Sequence, residues 1–303
     1  MLTRRGLTLG LGLALAAGRA HAATGARLEV ALIGDACRAE VFRRLVLQLR
    51  GTVTSDDSGA KRLAARGAAL DITCIRDGED PVGFATQART AHIALIAMDA
   101  TEGPRALIRE HLLITRQTRA PAHLMVANIK ALRGAAPSDA ADLISSEIEE
   151  ALALAALYLP EGHVPEVLFD EEMPGLDEMD WPHGLADAAR FLTVLPAAPK
   201  PRRELRLAHG ATLAFYLLSA QERRGRSSQL EAGHHFLLWS EGKTSVARLG
   251  GSAQTYFAPG ADAEALFGFE EPLPMAEGSG VLLIRDETLI GVGAVKSLAA
   301  LPS

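Results

Sequence analysis

Met98 to Ala131 reads MDATEGPRALIREHLLITRQTRAPAHLMVANIKA, and its punctuation separates three elements. An apolar run ends at Met98 and a Gly103-Pro104 turn follows; Pro104 suits the opening of a helix, where the N–H it lacks would have no partner. Leu107, Ile108, Leu112 and Ile114 then recur at helical spacing, giving that helix an apolar side to bury. A second apolar run, His123 to Ala127, stops at Asn128. Strand, helix and strand in this order predict parallel strands joined by a crossover.

The alternation continues outward on both sides. Leu28 to Gly34 (LEVALIG) is a nearly continuous apolar run ending in glycine, suited to a central strand covered on both faces. Phe42 to Leu49 follows as a helix with Phe42, Leu45, Val46 and Leu49 on one side, and Ile93 to Met98 is another buried strand. Ser138 can cap a helix carrying Leu143, Ile144, Ile148, Leu152 and Leu159, which stops before Pro160. Glu161 to Asp180 is acidic and broken by Pro165, Pro174 and Gly175, predicting a loop around one short strand, Val164 to Phe169. A helix over Leu185 to Leu195 closes an α/β domain with a mostly parallel sheet, residues 27–196.

Pro196 to Pro201 (PAAPKP) opens an extended linker over 197–208, and beyond it the periodicity changes. β-like runs at Thr212–Ser219, His235–Ser240, Ser245–Leu249, Val281–Arg285 and Thr288–Val295 are separated by glycine-rich turns, predicting a small antiparallel barrel over 209–298.

A hydrophobic content of 48% with 22% charged residues places this 303-residue chain among globular proteins rather than disordered ones. The first 22 residues read differently. Arg4-Arg5 precede an apolar run from Leu7 to Ala17 and an Ala20-His21-Ala22 cleavage pattern, which predicts an export signal of the twin-arginine type and a periplasmic or otherwise exported protein. An uncleaved anchor is the other reading, although the run is short of the roughly 20 apolar residues that span a bilayer. Cleavage would remove Arg4, Arg5 and Arg19, leaving 28 of the 31 basic residues against 37 acidic ones, a net charge of about −9. That balance disfavours general nucleic-acid binding.

The residue choices within this frame resemble a known family. The pattern ATEGP…REHLLITRQ…P…N is similar to the segment of elongation factor Tu between its DxxG and NKxD nucleotide motifs. In the second half, FYLLSAQERRGRSS looks like the strand and hairpin that open the C-terminal barrel of that factor, and LLIRDETLIGVGAVKSL like its closing strand pair. The resemblance to this branch of the translational GTPases covers about residues 27–298. It implies a P-loop-GTPase-like domain, a GTP or GDP ligand with Mg²⁺, and GTP hydrolysis. The family's middle barrel is missing, since only Arg202 to His209 separate the Pro196–Pro201 stretch from the first strand of the following barrel, and with it goes a surface that helps receive aminoacyl-transfer RNA. The parent fold also argues against a disulfide, placing Cys37 just after the first strand and Cys74 in a strand at the sheet's edge.

Carried over residue by residue, the nucleotide motifs are depleted. A P-loop needs G-x-x-x-x-G-K-[ST], so that backbone N–H groups cradle phosphate, lysine meets the β/γ oxygens and a hydroxyl holds Mg²⁺. The corresponding stretch is Gly34-Asp35-Ala36-Cys37-Arg38-Ala39-Glu40-Val41. Ala39 replaces the second glycine, Glu40 the lysine and Val41 the hydroxyl residue. An ion pair near 4 Å is worth on the order of 4 kcal/mol at an effective dielectric of about 20, so the Lys-to-Glu exchange alone weakens triphosphate binding about a thousandfold. Arg38 is the residue that could restore the cation. Arg66-Gly67-Ala68-Ala69-Leu70 corresponds to the family's first switch, with Ala69 at the Mg²⁺-binding threonine position. Asp80-Pro81-Val82-Gly83 matches DxxG, or is a plain Asp-Pro turn, and Phe84 takes the place of the histidine that positions water. Asn128-Ile129-Lys130-Ala131 keeps only the asparagine of NKxD, and Asp170-Glu171 stand at the later serine–alanine motif.

Gly34, Asp80, Gly83 and Asn128 are therefore the vestigial nucleotide-site positions, and no catalytic or metal-binding residue is assigned. His234-His235, as strand neighbours, would face opposite sides. The acidic cluster of Asp170, Glu171, Glu172, Asp177, Glu178 and Asp180 lacks calcium-loop spacing. Arg223-Arg224-Gly225-Arg226 reads as a hydrated hairpin tip or a protein-docking spot. The expectation is an exported pseudo-GTPase, non-catalytic, binding no cofactor and acting as a protein-binding module. The alternative is a cytoplasmic elongation-factor-like GTPase with an altered nucleotide pocket.

Overall fold

The computed structural model describes residues 27–56, 60–74, 81–103, 106–131, 167–169, 184–195, 203–220, 229–231, 233–250 and 256–299, with positions 146 and 153. The export signal at 1–22, Asp80, the helix expected from Ser138 apart from positions 146 and 153, the acidic cluster at 170–180, the proline stretch at 196–201 and the Arg223–Arg226 tip lie outside them. The described chain forms two compact units, one built from parts of residues 27–74, 90–103 and 121–195, the other from 81–89, 106–120 and 203–299.

The first unit is a seven-stranded, mostly parallel sheet. In chain order its elements are β1 (Leu28–Gly34), α1 (Arg38–Leu49), β2 (Thr52–Ser55), β3 (Lys61–Ala64), β4 (Leu70–Cys74), β5 (Ile93–Asp99), β6 (Ala122–Ala127), β7 (Val167–Phe169) and α4 (Gly184–Val194). The strand order is β2-β3-β4-β1-β5-β6-β7. Strands β4, β1, β5, β6 and β7 run parallel, while β2 and β3 form an antiparallel edge. Central β1, β5 and β6 are buried almost throughout, as expected of strands covered on both faces. Helices α1 and α4 pack together, with Val41, Phe42, Leu45, Ala188 and Leu192 closing a core over Leu32, Leu70, Ile72 and Leu95. Each such aliphatic or aromatic side chain, fully buried, contributes about 1.5–3 kcal/mol.

Helix α1 starts at Arg38, four residues before the apolar periodicity that announces it. Cys74 lies on β4, between β3 and β1 and opposite Leu32, so the expected edge position is corrected; Cys37 and Cys74 form no disulfide. The β2–β3 hairpin had no signal in periodicity, because three of its four β2 residues are hydroxylic and all four are exposed.

The second unit contains α2 (Pro81–Thr90, its last residue in the first unit), α3 (Ala106–Thr118) and strands β8 (Arg206–Leu217), β9 (Leu230–Glu231), β10 (His235–Ser240), β11 (Lys243–Leu249), β12 (Tyr256–Phe257), β13 (Asp262–Met275), β14 (Gly280–Arg285) and β15 (Thr288–Leu298). Six of these close a barrel in the order β10-β11-β13-β8-β15-β14, and β9 pairs with β12. Phe215, Phe236, Phe257 and Phe267 fill it through edge-on ring contacts 5.3–5.5 Å between centroids. The two helices are fastened to barrel turns. Arg89 pairs with Glu241 at 3.2 Å, Arg119 donates to the Gly278 carbonyl, and a Cβ on Gly280 would lie 2.2 Å from the Gln117 carbonyl oxygen.

Strand β8 begins at Arg206 rather than Thr212, and β13 has no counterpart in the expected strands. Its acidic residues and Pro272 and Pro274 read as loop, yet Ala265, Phe267 and Phe269 alternate inward and a register shift between Gly268 and Leu273 absorbs the irregularity. No helix among the described residues is long and apolar enough to cross a membrane.

At the start of the parallel strands, Asp71 on β4 is 5% exposed and accepts from Arg27 at 2.7 and 3.0 Å and from Arg62 at 2.9 Å. Burial pushes its carboxyl up, but the hydrogen bonds from Arg27 and Arg62 outweigh burial and hold it below its ordinary value. A carboxylate depressed by folding stabilises the fold above its unfolded pKa, and that stability is lost as pH falls through the folded pKa. Asp71→Asn is expected to cost about 1–3 kcal/mol at neutral pH. It should also flatten the loss of stability below roughly pH 4, as measured by urea unfolding across the acid range.

Candidate functional site

Ligands of open α/β sheets bind outside the carboxyl ends of the strands where the strand order reverses. Here that place is the end of β1, whose neighbours are β4 on one side and β5 on the other. Gly34 has φ +118, and a Cβ there would lie 2.1 Å from the Ala97 carbonyl oxygen on β5. Only glycine fits, for reasons of sheet packing alone. The Asp35 amide then donates to the same Ala97 oxygen at 2.9 Å, carrying the ladder one residue past the strand.

The turn into α1 is closed by its own groups. Arg38 donates to the Asp35 carbonyl through its amide at 3.0 Å, the Ala39 amide to Ala36 at 3.3 Å and the Val41 amide to Cys37 at 3.0 Å. Arg38 is only 4% exposed, and its Nη1 donates to the carbonyl oxygens of Gly34 at 2.8 Å and Asp35 at 3.0 Å. A cation at a helix N-terminus is disfavoured by the helix dipole, and these two carbonyls compensate it. Val41 is fully buried in the core under the sheet.

Glu40 does not act as the unpaired anion expected at the lysine position. Arg43 donates to it at 2.6 and 2.8 Å and Arg44 at 3.0 Å, both from its own helix. Hydrogen bonds first from Arg43 and then from Arg44 pull its carboxyl down to about 2. Its charge is paired with two arginines of its own helix.

Asn128 sits at the end of β6 with φ 63, a left-handed conformation that asparagine tolerates better than most residues. Its Nδ2 donates to Asp99 Oδ2 at 2.6 Å across the ends of β5 and β6. Asp99 Oδ1 accepts from the amide of Thr101 at 2.9 Å and its hydroxyl at 2.6 Å, and the Asp99 amide donates to Asp35 Oδ2 at 3.3 Å. Asp35, Asp99 and Asn128 thus link the ends of β1, β5 and β6 in one hydrogen-bonded row. Asp99 had no assigned role in the sequence; the signal for it is Asp-x-Thr directly after a buried strand, the pattern of an Asx turn.

The structure brings Gly34 and Asn128 to the same edge of the sheet. Gly83 instead lies in the first turn of α2, followed by Phe84, whose ring packs against His111 with centroids 4.3 Å apart and planes tilted by 46°. Arg66 to Ala69 form the turn between β3 and β4, and the Ala69 carbonyl accepts from the Leu28 amide at 2.7 Å. That is the opposite end of β1 from Gly34, about 20 Å away along a seven-residue strand. Ala69 therefore does not stand in for a metal-binding threonine beside Gly34, which corrects the switch correspondence. His234 precedes β10 rather than sharing it with His235, and its Nε2 lies 3.8 Å from Glu231.

Neither a protein-family model nor a curated protein matches this chain.

Asn128→Ala is expected to lower stability by about 2–4 kcal/mol, combining a lost bond to a carboxylate with strain at positive φ. Asn128→Gly, which removes the bond but not the backbone fit, should be milder by about 1 kcal/mol in urea unfolding.

Proposed function

We propose that this chain is an exported, non-catalytic relative of the elongation factor Tu branch of translational GTPases, a pseudo-GTPase that works by binding another protein. The observation that carries this reading is Arg38. A magnesium nucleotide at this turn needs a cation reaching outward to phosphate and backbone N–H groups free to cradle it. The guanidinium is buried on the Gly34 and Asp35 carbonyls, and the amides of Asp35, Arg38, Ala39 and Val41 are already paired. Val41 is buried where a metal-binding hydroxyl would be needed, and Asn128 is spent on Asp99. The residues present do not fit that group.

Kinship with the family is supported by the position of the remnants, since Gly34 ends β1 and Asn128 follows β6, parallel strands on either side of β5, at the edge where such sheets bind ligands. The Arg4-Arg5 leader supports export, and nucleoside triphosphates are not maintained outside the cytoplasmic membrane. The test is a calorimetric titration of the folded protein with GDP and GTP in the presence of Mg²⁺. No heat is expected at millimolar nucleotide. Micromolar or tighter binding would overturn the proposal in favour of an elongation-factor-like GTPase retained in the cytoplasm.

A further inference from the structure

The sheet of the first unit ends at β2, which bonds to β3 on one side and, among the described residues, to no strand on the other. Such edges are normally blunted by charge, proline or a bulge. Thr52-Val53-Thr54-Ser55 carries neither charge nor proline, its register with β3 is unbroken, and all four residues are exposed.

The register also says which groups face outward. The Asp56 amide donates to the Ala60 carbonyl at 3.1 Å, so 56 and 60 are a hydrogen-bonded pair. Antiparallel pairs alternate, so Thr54 and Thr52 turn their N–H and C=O groups toward β3, and Val53 and Ser55 turn theirs away from the sheet. Two donors and two acceptors stand at the repeat of an extended chain.

The rim of this edge is basic in a chain whose formal net charge is −6. Arg50 leads into β2, and Arg66 stands beside it with its amide on the Leu49 carbonyl at 3.3 Å. Lys61 lies opposite Ser55 at the far end. All three are exposed and make no ion pair among the described residues, whereas Arg62 is paired with Asp71 and Glu29. The one described acid at the strand's end, Asp56, accepts from the Ala60 amide at 3.0 Å.

We propose that the β2 edge docks an extended acidic segment of another protein, which adds to the sheet as a further strand. Backbone bonds to Val53 and Ser55 hold it, and Arg50, Lys61 and Arg66 select its charge. This deepens the protein-binding reading above and rests on it, by naming the surface and the chemistry of the partner.

The test uses the full chain and two fluorescein-labelled, end-blocked octapeptides, one alternating glutamate with threonine, the other lysine with threonine. Fluorescence anisotropy should give at least about tenfold tighter binding of the glutamate peptide, and hydrogen exchange should slow at the Val53 and Ser55 amides in its presence. Val53→Pro removes an outward donor without touching the β3 ladder, and should weaken binding about tenfold with little change in thermal midpoint. Should that variant fail to fold, the exposed pair Arg50→Glu with Lys61→Glu must invert the preference between the peptides. Equal binding of both peptides, no binding at millimolar concentration, or protection confined to another element would overturn the proposal. Nucleotide binding together with glutamate-peptide binding at β2 would sink the pseudo-GTPase reading and keep the edge; absence of both would lose the edge alone.

Discussion

Where β1 ends, the backbone of Gly34 passes so close to β5 that no side chain fits between it and Ala97. That approach fixes the direction in which the chain leaves the sheet. It delivers the Asp35 amide to the Ala97 oxygen and sets the Gly34 and Asp35 carbonyls within reach of one guanidinium. Arg38 meets both. The first turn of α1, the packing of Val41 and Leu45 beneath the sheet and the carboxyl edge of three parallel strands all follow from this one junction.

The same edge is satisfied further along by Asp99. Its carboxylate gathers the Thr101 turn and the Asn128 amide, and its own N–H reaches Asp35. Asp35, Asp99 and Asn128 at this edge are bonded to one another. The presence of Gly34 and Asn128 therefore has a sufficient explanation in backbone geometry and local hydrogen bonding. In the proposed history, residues once selected for a nucleotide persist because the fold also needs them.

Much of this was legible in sequence. The continuous apolar runs of β1, β5 and β6 and the short β-like runs of β10, β11, β14 and β15 between glycine-rich turns announce their elements. What escaped was governed by partners distant in the chain. Strand β13 looks like a loop until Arg248 and Lys296 are seen beside Glu270 and Glu264. Glu40 looks like a bare anion in a motif alignment, whereas its helix supplies Arg43 and Arg44. Arg66 to Leu70 matched a motif by composition alone, and only strand register reveals that they occupy the wrong end of the sheet. Arg38 could be named as a possible replacement cation, but its direction is a matter of rotamer and burial that no spacing encodes.

The most direct test of the account is the state of the Arg38 side chain in solution, followed by NMR of its Nε and Nη protons during addition of Mg²⁺ and GDP. A guanidinium held on the Gly34 and Asp35 carbonyls should give slowly exchanging side-chain signals that do not move at millimolar nucleotide. Fast-exchanging Arg38 signals that shift as nucleotide is added would mean that the side chain reaches outward to phosphate, and would contradict the central claim.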